Sequence, residues 1–161
     1  MTAEVNSVLV QLAVIQREII SPDTGQPILA FDNVPYVINT ADMPLFINYS
    51  GALSSNTLKG SDDLAREFDE TRQYIMTLYH SPYAAGVEGE KLAALSGYFS
   101  LVLAKFGGYP HLEKLGGIMN ALIVSDSGVT SMMQFMGQAY FGIRFILQVT
   151  GRTRRPLLVG D

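Results

Sequence analysis

The sequence predicts an α+β domain: a mostly antiparallel sheet of four to five strands with two helices packed on one face. Two segments repeat apolar residues at three- and four-residue steps, as an amphipathic helix does. Several others alternate at a two-residue step between turn-forming residues. Neighbouring strand candidates are joined by short turns, which favours antiparallel pairing.

In chain order, Val5, Val8, Leu9, Leu12, Ile15 and Ile19 mark the first helix. Ser21-Pro22-Asp23-Thr24-Gly25 supplies its stop. The apolar pieces Ile28 to Phe31 and Pro35 to Ile38 read equally as strand or loop. Pro44 to Tyr49 is a clearer strand, with proline at its entry, where no ladder donor is needed. Ser50 to Asp63, rich in Gly, Ser, Asn and Asp, reads as a long polar loop. Phe68 to His80 follows as a strand, and Ser81-Pro82-Tyr83 with Gly86 as a turn.

The second helix carries Leu92, Leu95, Phe99, Val102, Leu103 and Phe106 on one stripe and stops at Gly107-Gly108-Tyr109-Pro110. Ile118 to Ser125 is the next strand, and Asp126-Ser127-Gly128 its turn. The last strand is the most informative. From Met133 to Val149 the odd positions are nearly all apolar, whereas the even ones include Gln138, Tyr140, Arg144 and Gln148. Fully extended, this run would span roughly 55 Å at ~3.3 Å per residue, against a domain diameter nearer 40 Å. It must either bend at Gly137 or Gly142 or project beyond its own domain. Residues 1–151 are expected to form the single domain and 152–161 a basic tail.

The 161 residues suffice for one core. Charged residues are 16% against 48% hydrophobic, so the surface is unusually poor in charge. Burial against other subunits and a polar uncharged surface both account for that. The net charge of −4 gives no general nucleic-acid-binding field. With no cysteine, disulfides, thiolate nucleophiles and cysteine metal sites are excluded. The acidic start does not resemble a secretory signal, and only thirteen residues separate Lys91 from Lys105 around the greasiest segment, so a soluble chain is expected. The Asn48-Tyr49-Ser50 sequon then reads as chance.

No catalytic, cofactor or metal constellation emerges. His80 and His111 have no second ligand at helical spacing, and each reads as an ordinary polar or loop histidine. Gly107-Gly108 and Gly116-Gly117 frame no phosphate-loop motif and read as turns. Ser96 and Ser127 lie outside a nucleophile elbow. The acidic group Asp62, Asp63, Glu67, Asp69 and Glu70 around Arg66 and Arg72 reads as a solvated loop and strand edge, with a cation site or an inter-subunit contact as the sharper alternative. Arg152, Arg154 and Arg155 are too few for tight DNA binding by one chain and suit a solubilising tail. Repeated around a ring, they could meet acidic neighbours or passing DNA.

The order of these elements, with Asp42-Met43-Pro44 leading into Leu45-Phe46-Ile47-Asn48-Tyr49 and a later strand bearing Arg72 and Tyr74, resembles the tail terminator (tail-completion) proteins of long-tailed bacteriophages. The resemblance spans about Val5 to Gly151. It implies a virion structural protein rather than an enzyme, assembled in the host cytoplasm as a homohexameric ring on the head-proximal end of the tail. It also implies partners: the tail tube protein, whose polymerisation the ring stops, the head-completion or connector protein, and DNA passing through the lumen. Exposure reasoning adds an interface at the Ser50–Asp63 loop and at Gln138, Tyr140, Arg144, Gln148, Arg152, Arg154 and Arg155. Charge reversal at Arg144 and Arg152 together would then abolish the ring and leave the monomer folded. The alternatives are another phage connector or tail subunit, or a dimeric small-molecule-binding module whose pocket draws on the 8 Phe and 8 Tyr.

Overall fold

The computed structural model describes residues 4–113 and 115–158. Two helices, α1 (Val5–Gln16) and α2 (Glu88–Gly107), accompany six strands: β1 (Leu29–Phe31), β2 (Leu45–Ser61), β3 (Ala65–Pro82), β4 (Ile118–Asp126), β5 (Thr130–Phe135) and β6 (Gln138–Pro156). All six strands belong to one sheet in the order β1-β2-β3-β6-β4, and β5 pairs with β6 as well. The pairing is antiparallel except for β1, which runs parallel to the start of β2. The α+β expectation holds, and the sheet is mostly antiparallel as expected, with six strands rather than four to five.

One face of the sheet carries both helices. Val8, Leu9, Leu12 and Ile15 of α1 and Leu95, Tyr98, Val102 and Phe106 of α2 close over Phe46, Tyr74, Met76, Leu78, Phe141, Ile143, Phe145 and Leu147. The alternation of the last strand anticipates this face, since its odd positions from Phe141 to Val149 are all buried. Removing one such ring, as in Phe145→Ala, would cost about 3–5 kcal/mol. On α2 the observed stripe differs in detail from the expected one. Tyr98 is fully buried, whereas Leu103 is exposed, because the sheet lies one position around the helix. Opposite the helices, Leu45, Ile47, Tyr79, Met133 and Tyr140 form a smaller cluster with Phe31, Ile38, Met43 and Phe135 packed against it.

Two polar side chains inside the main core pair with each other. Gln16 and Asn48 exchange two hydrogen bonds, Nε2 to Oδ1 at 2.8 Å and Nδ2 to Oε1 at 2.7 Å, and Asn48 Nδ2 also donates to the Phe31 carbonyl. The sequon asparagine is therefore wholly buried and joins α1, β1 and β2.

Three expectations are corrected. The run from Met133 to Val149 is not one strand but a hairpin, turning at Met136 and Gly137, both in the left-handed region (φ 49° and 78°). Two successive positive-φ residues make the kind of tight turn whose twist matches its flanking strands. The polar stretch Ser50–Asp63 is not a loop. It continues β2 to Ser61 and pairs with β3 as far as Arg66. Its backbone ladder, not apolar alternation, makes it a strand, so hydrophobic patterning does not reveal it. Arg152 to Pro156, expected as the start of a loose tail, complete β6 against Ala65 to Asp69 of β3. Residues 159–161 of that expected tail lie outside the described residues. Pro35 to Ile38 forms no strand.

Candidate assembly surface

Together these corrections build an arm. Beyond Gly51 in β2, Arg72 in β3 and Val149 in β6, three strands continue past the helix-covered body. The nineteen-residue β6 would span about 60 Å if straight, at ~3.3 Å per residue, which exceeds a compact domain of this size. Leu53, Leu58 and Leu64 are exposed along the arm, and its β2 residues face water almost throughout. Three strands without a core need other support.

Charge supplies it. Register sets Asp69 directly opposite Arg152, and Arg152 Nε donates to Asp69 Oδ1 at 2.9 Å, while Lys59 Nζ lies 3.8 Å from the other oxygen. Arg154 donates to Asp62 Oδ2 at 3.0 Å. Arg155 pairs with Glu70 and stacks over Phe68, 5.2 Å from the ring centre. The hydrogen bond from Arg152 holds the Asp69 carboxyl below its usual range, and Asp69 in turn raises Arg152. Asp62 also closes the tip. Its Oδ1 accepts from the backbone N–H of Leu64 and Ala65 at 2.8 and 2.7 Å, and these bonds, with Arg154, lower its pKa. Asp62, Asp69 and Glu70 of the acidic group and the three terminal arginines, read separately in the sequence, thus pair across the strands, Arg152 and Arg155 on opposite faces of the sheet. Their separation by more than eighty positions left no local signal of it.

The other expected interface residues divide. Gln138 is exposed beside the hairpin turn, Arg144 is exposed with Nη2 3.6 Å from Met133 Sδ, and Gln148 is half-buried. Tyr140 belongs to none of that surface. It is buried edge-on to Tyr79, 5.5 Å between ring centres, where burial also pushes the Tyr79 hydroxyl up to about 12. The β5–β6 hairpin folds Tyr140 inward beside Met133, a placement that alternation along a single strand could not supply.

A second polar cluster went unrecognised in the sequence. His80 Nε2 donates to Asp23 Oδ2 at 2.7 Å, since an ionised carboxylate can only accept. Tyr98 donates to the same oxygen at 2.6 Å, and its hydroxyl lies 2.8 Å from Ser21 Oγ. His80 Nδ1 is 3.1 Å from Ser81 Oγ. Desolvation alone would raise the Asp23 carboxyl, but the bonds from Tyr98 and His80 outweigh it and hold the group below its ordinary value. Burial and Asp23 together push the Tyr98 hydroxyl strongly up. The residue types are those of an acid–base relay. Their geometry ties the turn after α1 to the end of β3 and the middle of α2, with both imidazole nitrogens engaged and Tyr98 and Ser21 out of contact with water.

Tyr98, Phe46, Phe141 and Phe145 pack the body and are among the largest fully buried side chains. A narrow cleft between α1 and the arm, lined by Val5, Val8, Arg72, Tyr74 and Thr153, encloses about 60 Å³, far below the ~300 Å³ at which small-molecule sites begin. Two open hollows beside Tyr109 at the end of α2, by contrast, reach about 370 and 450 Å³. No helix among the described residues is long and apolar enough to cross a membrane. Compared with known proteins, the chain matches no family profile and no curated protein.

Proposed function

We propose that this protein is a structural subunit of a phage tail: a terminator that closes into a homohexameric ring at the head-proximal end of the tube, stops its polymerisation and joins it to the head. The projecting arm carries the reading. It is a three-stranded extension braced by ion pairs, with α1 reaching only its base, and longer than the body needs. Such an element gains its use from a neighbouring surface, and in a ring every copy has one. The low charge content and the exposed apolar residues at the rim of the sheet suit the same role.

The arginines are held by carboxylates of their own arm, so DNA contact through them is not part of the proposal. The partners are further copies, the tube protein and the head-completion or connector protein. Native mass spectrometry over rising concentration tests it. A species at six times 17.6 kDa is expected. A monomer or dimer at every concentration would overturn the ring.

A further inference from the structure

We propose that the outer edge of β2 from Tyr49 to Leu53 is an inter-subunit pairing edge, and that its next strand is the opposite edge of the same sheet in a second copy, formed by β4 beyond Ala121. The register through β6 and β3 sets the two edges level, Ile123 with Ser50 and Ala121 with Leu53. The inference rests on the ring reading and names the surfaces that would close it. β1 covers β2 only from Leu45 to Ile47, so among the described residues no strand lies on the outer side of the backbone beyond. The Gly51 carbonyl is met by Arg72 Nη1 at 3.2 Å.

Edge strands that stay monomeric are guarded by charges, prolines, bulges or a covering segment. From Tyr49 to Ser61 there is one charged residue, Lys59, and no proline. Lys59 leans inward toward Asp69. Irregularities near Ser50, Leu53 and Leu58 bend this edge without covering it. The opposite edge is guarded at one point, where the Ala121 N–H donates to the Pro110 carbonyl at 2.8 Å. Leu122, Val124 and Met132 beyond it are exposed, as are Leu53 and Leu58 on β2.

Direction selects the match. β2 is antiparallel to β3, β3 to β6, and β6 to both β4 and β5, so β4 and β5 run opposite to β2. A copy rotated about an axis along the strands therefore brings β4 and β5 antiparallel to β2, the more stable arrangement. The contact joins two different surfaces, so it repeats from copy to copy and closes as a ring when the rotation between copies is a sixth of a turn. A two-fold β2-to-β2 contact would leave the second apolar edge bare.

The absence of native cysteine makes the test clean. Ser50→Cys, Ser55→Cys and Thr57→Cys are each combined with Val124→Cys and treated with a short bis-maleimide, after native mass spectrometry of the same samples. Expected is a ladder of covalent multiples up to the ring from the level pair, Ser50→Cys with Val124→Cys, with each single variant remaining uncrosslinked. Covalent dimers from a single β2 variant would overturn the assignment in favour of a two-fold edge contact. Rings in native spectra without crosslinking of that pair would overturn it and leave the ring reading standing. A lasting monomer would overturn both.

Discussion

Tyr98→Phe isolates what the buried cluster contributes. The substitution keeps the ring that packs under α2 and deletes one oxygen, which donates to Asp23 at 2.6 Å and lies 2.8 Å from Ser21 Oγ. A hydrogen bond to a charged acceptor contributes about 1.5–3 kcal/mol, but the Asp23 side chain is 38% exposed, so water replaces part of it and about 1–2 kcal/mol is expected. Ser21 is buried and loses a partner as well, bringing the total to about 2–3 kcal/mol. Urea unfolding at pH 7 should show that loss with an unchanged slope, and the melting temperature should fall by about 5–10 °C.

The pH dependence has a definite sign. The folded-state pKa of Asp23 lies below its unfolded value, so its contribution is complete above about pH 4 and is lost as pH falls through the folded value. The gap between wild type and Tyr98→Phe should therefore narrow in acid. A cycle with Asp23→Asn should return a coupling of about 1–2 kcal/mol. A loss under about 0.5 kcal/mol at pH 7, or no coupling to Asp23, would refute the reasoning.

Three further outcomes are expected. Gly142→Ala places a Cβ 2.3 Å from the Leu78 carbonyl oxygen, backbone that cannot swing aside, and should cost at least about 2 kcal/mol in urea unfolding. Met136→Asn puts a residue suited to positive φ at the exposed hairpin turn and should raise stability by about 0.5–1 kcal/mol; an unchanged or lower urea midpoint would contradict this reading of the turn. Arg144→Glu, on the sheet face opposite the helices and without a carboxylate partner among the described residues, should leave the circular dichroism and melting curve of the monomer intact while lowering the hexamer fraction in native spectra. It is a cleaner test than reversing Arg144 and Arg152 together, because Arg152 braces its own arm through Asp69.

The sequence alone determined the α+β class, both helices, the helix-covered core face and the buried parity of residues 141–149, because these follow from local periodicity that water enforces residue by residue. It could not determine the arm. Gly51 to Ser61 has no apolar alternation, and it is extended because β3 offers a hydrogen-bonding edge far along the chain. The same holds for the arginine pairs and for the tie between Asp23 and His80, whose partners lie 57 or more positions apart. The hairpin at Met136-Gly137 was half legible, since the glycine was visible as a bend and the methionine beside it was not. Periodicity records which side of an element meets the core, but the partner across a strand is chosen by tertiary register, and that choice made an arm of what composition alone presents as a loop and a tail.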